Sequence, residues 1–190
     1  MIRFNKLTVA LLATTTLLSS YTIALAADQN IGASATFRGA ITLNNVVDMA
    51  YGTVEYSAQA ANNITLDPNG GTITCSNTTN YVCPATGTAG SADIQGATGQ
   101  VVNISCETAG IVSDGTNTIP LNTARVRING TTTTCAGLGT TPVSYTLVAG
   151  VDTLRVGAIL AVPVAGILAD GAYTTAAAGG DPVAVRVIYQ

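Results

Sequence analysis

The chain has no histidine, and charged side chains make up only 9% of its residues. Histidine is the side chain that most often serves as general base near neutral pH, so the commonest route to acid–base or nucleophilic catalysis is missing. The ten acids are scattered and form no Asp-x-Asp or Glu-x-x-Glu pair. The glycine-rich Ala177-Ala178-Gly179-Gly180 is not followed by the Lys-Ser/Thr of a phosphate-binding loop. No serine has a base in its motif to activate it. We therefore expect no enzyme, no catalytic residue and no cofactor. Lysine is also nearly absent, with Lys6 the single example. No basic run exists to follow a phosphate backbone, so nucleic acid is not an expected partner. Outside the first residues there is no helical repeat, and no repeat of 20 to 50 residues that would build a solenoid or propeller.

What is present begins with a leader. Arg3 and Lys6 precede an apolar run from Leu7 to Leu18, and Ala24-Leu25-Ala26 forms a small-x-small site. This pattern predicts a secretory signal peptide over residues 1–26, cut between Ala26 and Ala27. The run contains threonines and falls short of the ~20 apolar residues of a spanning helix. The remaining chain would carry five arginines, no lysine and ten acids, a net charge of −5 against −3 for the whole sequence. Threonine, valine, alanine, glycine and asparagine dominate it, a composition that favours strands and a neutral, hydroxyl-rich surface.

The four cysteines are Cys75, Cys83, Cys106 and Cys135. An even number behind a signal peptide reads as two disulfides made in an oxidising compartment. Three pairings are possible. Cys75–Cys83 with Cys106–Cys135 is favoured, because the first two are close and bracket a turn-rich stretch. Closing so short a loop should stabilise by about 2–3 kcal/mol on a chain-entropy basis. The spacings are not Cys-x-x-Cys and histidine is lacking, so a zinc site is not expected.

The most informative stretch is PVAVRVIYQ, residues 182–190. Val183, Val185, Val187 and Tyr189 alternate with Ala184, Arg186 and Ile188, the period-2 pattern of a half-buried strand. Pro182 suits a strand's first position. An edge so apolar must be paired or it becomes a template for aggregation. At the other end, residues 28–39 alternate similarly, with Ile31, Ala33, Ala35 and Phe37 on one face. Twelve residues at ~3.3 Å each reach about 40 Å, more than one strand needs. Such a segment serves either as a first strand of its own domain or as an arm entering a neighbour.

Between these ends, strand-like runs recur. They cover residues 40–46, 48–54 with a bend at Gly52, 63–75 as a hairpin, 91–98, 101–107, 121–129, 145–149 and 152–162. Asp67-Pro68-Asn69-Gly70-Gly71 supplies the hairpin turn, and Asn-Gly there favours a primed turn. The spaced acids of a calcium loop are missing from it. Residues 76–90 read as loop. Arg125 and Arg127, opposite Ala124, Val126 and Ile128, read as a solvated face. Asn63, Asn77, Asn103 and Asn129 open N-x-Ser/Thr triplets that a threonine-rich chain produces by chance. Short strands with Gly, Asn and Pro punctuation predict an all-β sandwich.

Four pieces, in order, carry a resemblance: ITLNNVVDMAYGTV (41–54), DTLRVGAILAV (152–162), Gly171-Ala172-Tyr173, and VAVRVIYQ with its penultimate tyrosine. Together they resemble an uncharacterised family of secreted bacterial pilin-like domains. Those domains are similar to Mat-type common-pilus fimbrillins and, more distantly, to chaperone–usher pilins. The chain departs from that pattern at Met49-Ala50-Tyr51-Gly52, where an aromatic-Gly motif usually follows Leu-Asp, and in its four cysteines. The resemblance implies an incomplete immunoglobulin-like β-sandwich over residues 40–190, completed by a donor strand. Residues 27–39 would be that strand, lent to the next subunit with Ile31, Ala33, Ala35 and Phe37 inward. Val183, Val185, Val187 and Tyr189 would flank the groove it fills. It further implies a homo-oligomeric filament at the cell surface, reached through the periplasm with a chaperone and an outer-membrane usher. The alternative is a self-contained secreted sandwich acting as a binding module, an adhesin or biofilm matrix component, with residues 28–39 completing its own sheet.

Overall fold

The computed structural model describes residues 39–140, 143–148, 150–164 and 168–190, and the described residues form an all-β sandwich without helix. The predicted signal site at Ala26 and Ala27 and the donor residues Ile31, Ala33, Ala35 and Phe37 lie outside the described residues.

The long strand β12 (Val151–Val162) is the spine of the larger sheet. One of its edges pairs with β9 (Thr118–Ile128). The other pairs first with β6 (Gly90–Gln95) and then with β3 (Asn62–Leu66). Beyond these lie β1 (Thr42–Val47) on β6 and β4 (Ile73–Cys75) on β3. On β9 lie β8 (Gly110–Ser113) and β10 (Thr131–Thr134). All these pairs are antiparallel, so one face can bury while the other stays wet. Period-2 patterning decides which. Leu154, Val156, Ala124, Val126 and Ile128 are buried, whereas Thr153 and Arg155 are exposed.

The smaller sheet has the order β11 (Val143–Thr146), β7 (Val101–Cys106), β13 (Val185–Tyr189). In β7 the inward residues are Val102, Ile104 and Cys106, all buried against the larger sheet. A two-stranded pair, β2 (Glu55–Tyr56) with β5 (Tyr81–Val82), stands apart from both sheets. The segment read as loop over 76–90 thus contains β5. Tyr81 is what orders it: the ring is buried, and its hydroxyl donates to Ala60 O at 2.7 Å.

Two turns differ in a way the dipeptides alone conceal. Asn129-Gly130 joins β9 to β10 with φ of 44° and 83°, the left-handed pair a type I′ turn requires. Asn69-Gly70 does not do this. Its backbone N–H at Asn69 is held by Asp67 Oδ1 at 2.8 Å, and the left-handed residues are Gly70 and Gly71 instead. The primed turn expected there is therefore corrected to a longer Asx-type loop, closed by Asp67 N–H donating to Thr72 O at 2.9 Å.

The disulfides join Cys75 to Cys83 and Cys106 to Cys135, with Cα–Cα distances of 6.4 and 5.2 Å. The second ties β7 of the smaller sheet to a residue that donates its N–H to Ala124 O of β9 at 2.8 Å. It is a covalent staple between the two sheets.

Candidate functional site

Strands β1 and β13 are each paired on one side only among the described residues, β1 with β6 and β13 with β7. Both contribute side chains to one apolar cavity of about 1090 Å³. Its floor is the inner face of the larger sheet: Ile64, Leu121, Leu154, Val156, Leu160 and Val162. One wall is Val47, Met49, Tyr51 and Val54, and the other is Val183 and Val185. The segment 168–176 passes along its rim.

The geometry follows from how β1 ends. Asn45 has a left-handed φ of 50°, and the register with β6 slips between Asn44 and Val47. Such a bulge bends the strand. Past it, the main chain makes an isolated bridge, Ala50 with Thr88, outside the strands of the larger sheet. Gly52, at φ 71°, supplies the next bend. Residues 48–54 therefore make a wall and not a strand paired along its length. They were expected to be strand-like, with Gly52 bending them; the bend is there and the pairing is not.

The two walls converge at one end. A Cβ built on Gly96 would lie 2.7 Å from Leu147 Cδ1, 3.0 Å from the Tyr189 hydroxyl and 3.8 Å from Ile41 Cγ1. The Tyr189 hydroxyl accepts a hydrogen bond from Ala97 N–H at 3.1 Å. This pins the last strand to the β6–β7 connection. At the opposite end Val183 lies against Gly110, with the 168–176 segment beside it.

Of the four residues expected to flank the groove, Val183 and Val185 line it. Val187 and Tyr189 share their face, half-buried against the core, nearer the closed end. Ala184, Arg186 and Ile188 are exposed on the other face. The wall at Met49–Val54 and the rim at 168–176 were not anticipated. Their signal was the pair of tyrosines in MAYG and GAY, Tyr51 and Tyr173, which pack on the core as partly buried rings.

Two tyrosine hydroxyls of the cavity lining are engaged locally. The Tyr51 hydroxyl donates to Ala158 O at 2.9 Å, and burial pushes its phenol well above the usual range. The Tyr56 hydroxyl donates to Asp170 Oδ1 at 3.3 Å. A small-ligand pocket needs a few polar groups converging on the ligand. Here the Tyr51 hydroxyl is spent on the Ala158 carbonyl and Tyr56 on Asp170, and the floor itself is apolar. Among the described residues, no three His, Cys, Asp or Glu side chains gather closely enough to hold a metal ion.

An all-β sandwich with an apolar trough between two strand edges is the class that fold and site define. The chain belongs to the DUF4402 family, a domain of unknown function whose family model matches residues 41–188. No curated protein and no solved structure matches the chain significantly.

Proposed function

We propose that this protein is a structural subunit of an extracellular pilus or fimbrial filament. Its sandwich lacks one strand, and the N-terminal segment 27–39 of a neighbouring subunit fills the trough between β1 and β13. The observation that carries this is the coincidence of an apolar cavity with two strand edges that lack partners among the described residues. A strand laid there gains main-chain hydrogen bonds from both edges. It also buries alternate side chains on the floor made by Leu154, Val156 and Leu160. The alternating Ile31, Ala33, Ala35 and Phe37 have the right period and mostly small side chains. A head-to-tail contact of this kind does not close on itself and propagates as a fibre. Until it is filled, the trough exposes apolar surface and an open edge. That calls for a periplasmic chaperone before assembly and an usher during it.

The segment 168–176 favours a second reading, because this chain already supplies a further length of its own backbone to the cavity lining. In that reading residues 28–39 close the trough of their own chain, and the protein is a monomeric binding module. Deletion of Asp28–Gly39 separates the two. For a filament subunit, the truncated protein folds but forms no filaments by electron microscopy, and a synthetic 27–39 peptide binds it and raises its melting temperature. Filaments from the truncated protein would end the filament reading. A full-length protein that stays monomeric, rejects the peptide and melts in one step would establish the second.

A further inference from the structure

The outer face of the larger sheet carries an arrangement that neither the core nor the trough requires. Arg155 of β12 lies directly opposite Arg127 of β9, and side chains directly opposite in an antiparallel pair share a face. Arg125 lies two residues from Arg127 on the same face. The cations of the described residues are Arg125, Arg127, Arg155 and Arg186, so three of the four meet here. Cross-strand neighbours stand about 5 Å apart, and residues two apart along a strand about 7 Å. Like charges placed directly opposite are destabilising. Arg127 Nη1 donates to Thr132 Oγ1 at 3.1 Å. The side chains of Arg125 and Arg155 make no hydrogen bond or ion pair among the described residues. The row through Arg127 and Arg155 is flanked by hydroxyls, Thr132 on β10 and Ser91 on β6, and continues from Ser91 to Val47 on β1. The next row holds Thr153 and Asp93, and Asp93 is occupied by Asn45 and Thr153 at 2.8 and 2.7 Å.

We propose that this face binds an anionic polysaccharide, through its sulfate or carboxylate groups on the arginines and its hydroxyls on Thr132 and Ser91. Three features select this occupant. Guanidinium groups recognise planar or tetrahedral oxyanions through several N–H donors at once. Flanking hydroxyls both donate and accept, as sugar hydroxyls do. A second copy of the chain offers no acidic run as a counterpart, since its ten acids are scattered singly along the sequence. Duplex nucleic acid carries one charge per ~1.7 Å, and a chain of net charge −3 with so small a cationic patch is poorly matched to it. The proposal is independent of the filament reading, because a monomeric module would present the same face.

The test is titration of the full chain with heparin, polygalacturonate, neutral dextran and duplex DNA at low and high salt. Wild type should bind heparin or polygalacturonate but not dextran, and more weakly in high salt. The tighter of the two identifies the anion as sulfate or carboxylate. The R127Q/R155Q double variant should bind at least about tenfold more weakly, while R186Q, on the smaller sheet, should match wild type. Its melting temperature should equal or exceed that of wild type, since a like-charge pair is removed. If the double variant fails to fold, R127K/R155K decides. Charge is then kept and the planar fork lost, so binding should be intermediate. Wild type indifferent to both polyanions would overturn the proposal. So would equal loss in R186Q, tighter binding to DNA, or a double variant or Lys variant that binds as wild type does.

Discussion

The two sheets are written in the same alternating code and are finished to different degrees. In the larger sheet, β12 has partners on both edges, and Leu154 on its inner face is fully buried. In the smaller sheet, β13 alternates as cleanly, yet Val183, Val185, Val187 and Tyr189 are only half-buried. Their pattern asks for a core that the described residues only partly provide. The difference lies in coverage, and coverage is where a partner can act.

The comparison breaks most visibly at matched core positions. Leu154→Ala should cost about 2–5 kcal/mol, because its side chain is fully buried and its removal leaves a void. Val187→Ala, on the half-covered face, should cost about 1 kcal/mol or less. Chemical denaturation of both variants measures this. Equal losses would mean that β13 is as fully enclosed as β12. A donor strand packed on the trough floor should raise the cost at Leu154, which lines it, and leave that at Val187, which does not, nearly unchanged.

The disulfides give the next effect. Cys106–Cys135 spans 29 residues and ties the two main sheets together, whereas Cys75–Cys83 spans 8 and joins β4 to the residue after β5. On chain entropy, replacing the first pair by alanine should cost about 3–4 kcal/mol and the second about 2–3 kcal/mol. The order of the two melting temperatures checks the staple between sheets. If the short loop mattered more, the sheets would be held together by packing alone.

The smallest effect is a pH dependence at the turn between β8 and β9. The Asp114 carboxylate accepts N–H bonds from Asn117 at 2.6 Å and Thr116 at 2.7 Å. It also accepts a bond from the Asn117 side chain at 2.9 Å. These bonds, the Asn117 backbone first, hold it down to about 2 against an ordinary 3.8. A carboxyl depressed on folding stabilises above its unfolded value. That stability is fully present above about pH 4 and is lost as pH falls through about 2. Asp114→Ala should therefore melt lower than wild type at pH 6 and show a shallower decline between pH 4 and pH 2. Melting curves across that range test it, and parallel curves would show that the turn does not depend on the charge.

Much of the architecture could be read from residue order. Period-2 runs located β3 with β4, β6, β7, β9, β12 and β13 within a few residues. They also assigned the faces correctly, as with buried Ala124, Val126 and Ile128 against Arg125 and Arg127. β5, β8 and β10 were harder. GIVS is too short for a period, and TTTT has no apolar alternation at all. β10 exists because Asn129-Gly130 folds it back onto β9. The site was half legible. One wall announced itself in Val183 and Val185, while the other depended on a bulge at Asn45 that no local pattern marks. The arginine row was invisible in sequence, since Arg155 is 28 positions from Arg127 and only the β9–β12 register sets them opposite.

Alternation, turn dipeptides and the cysteine count were enough to determine an all-β chain and the facing of most of its strands, because these properties depend on neighbours one to four positions apart. Which edges lack partners among the described residues, where the trough lies and which charges meet were decided by strand pairing between distant segments. Register sums contacts between residues dozens of positions apart, and no local pattern contains that sum.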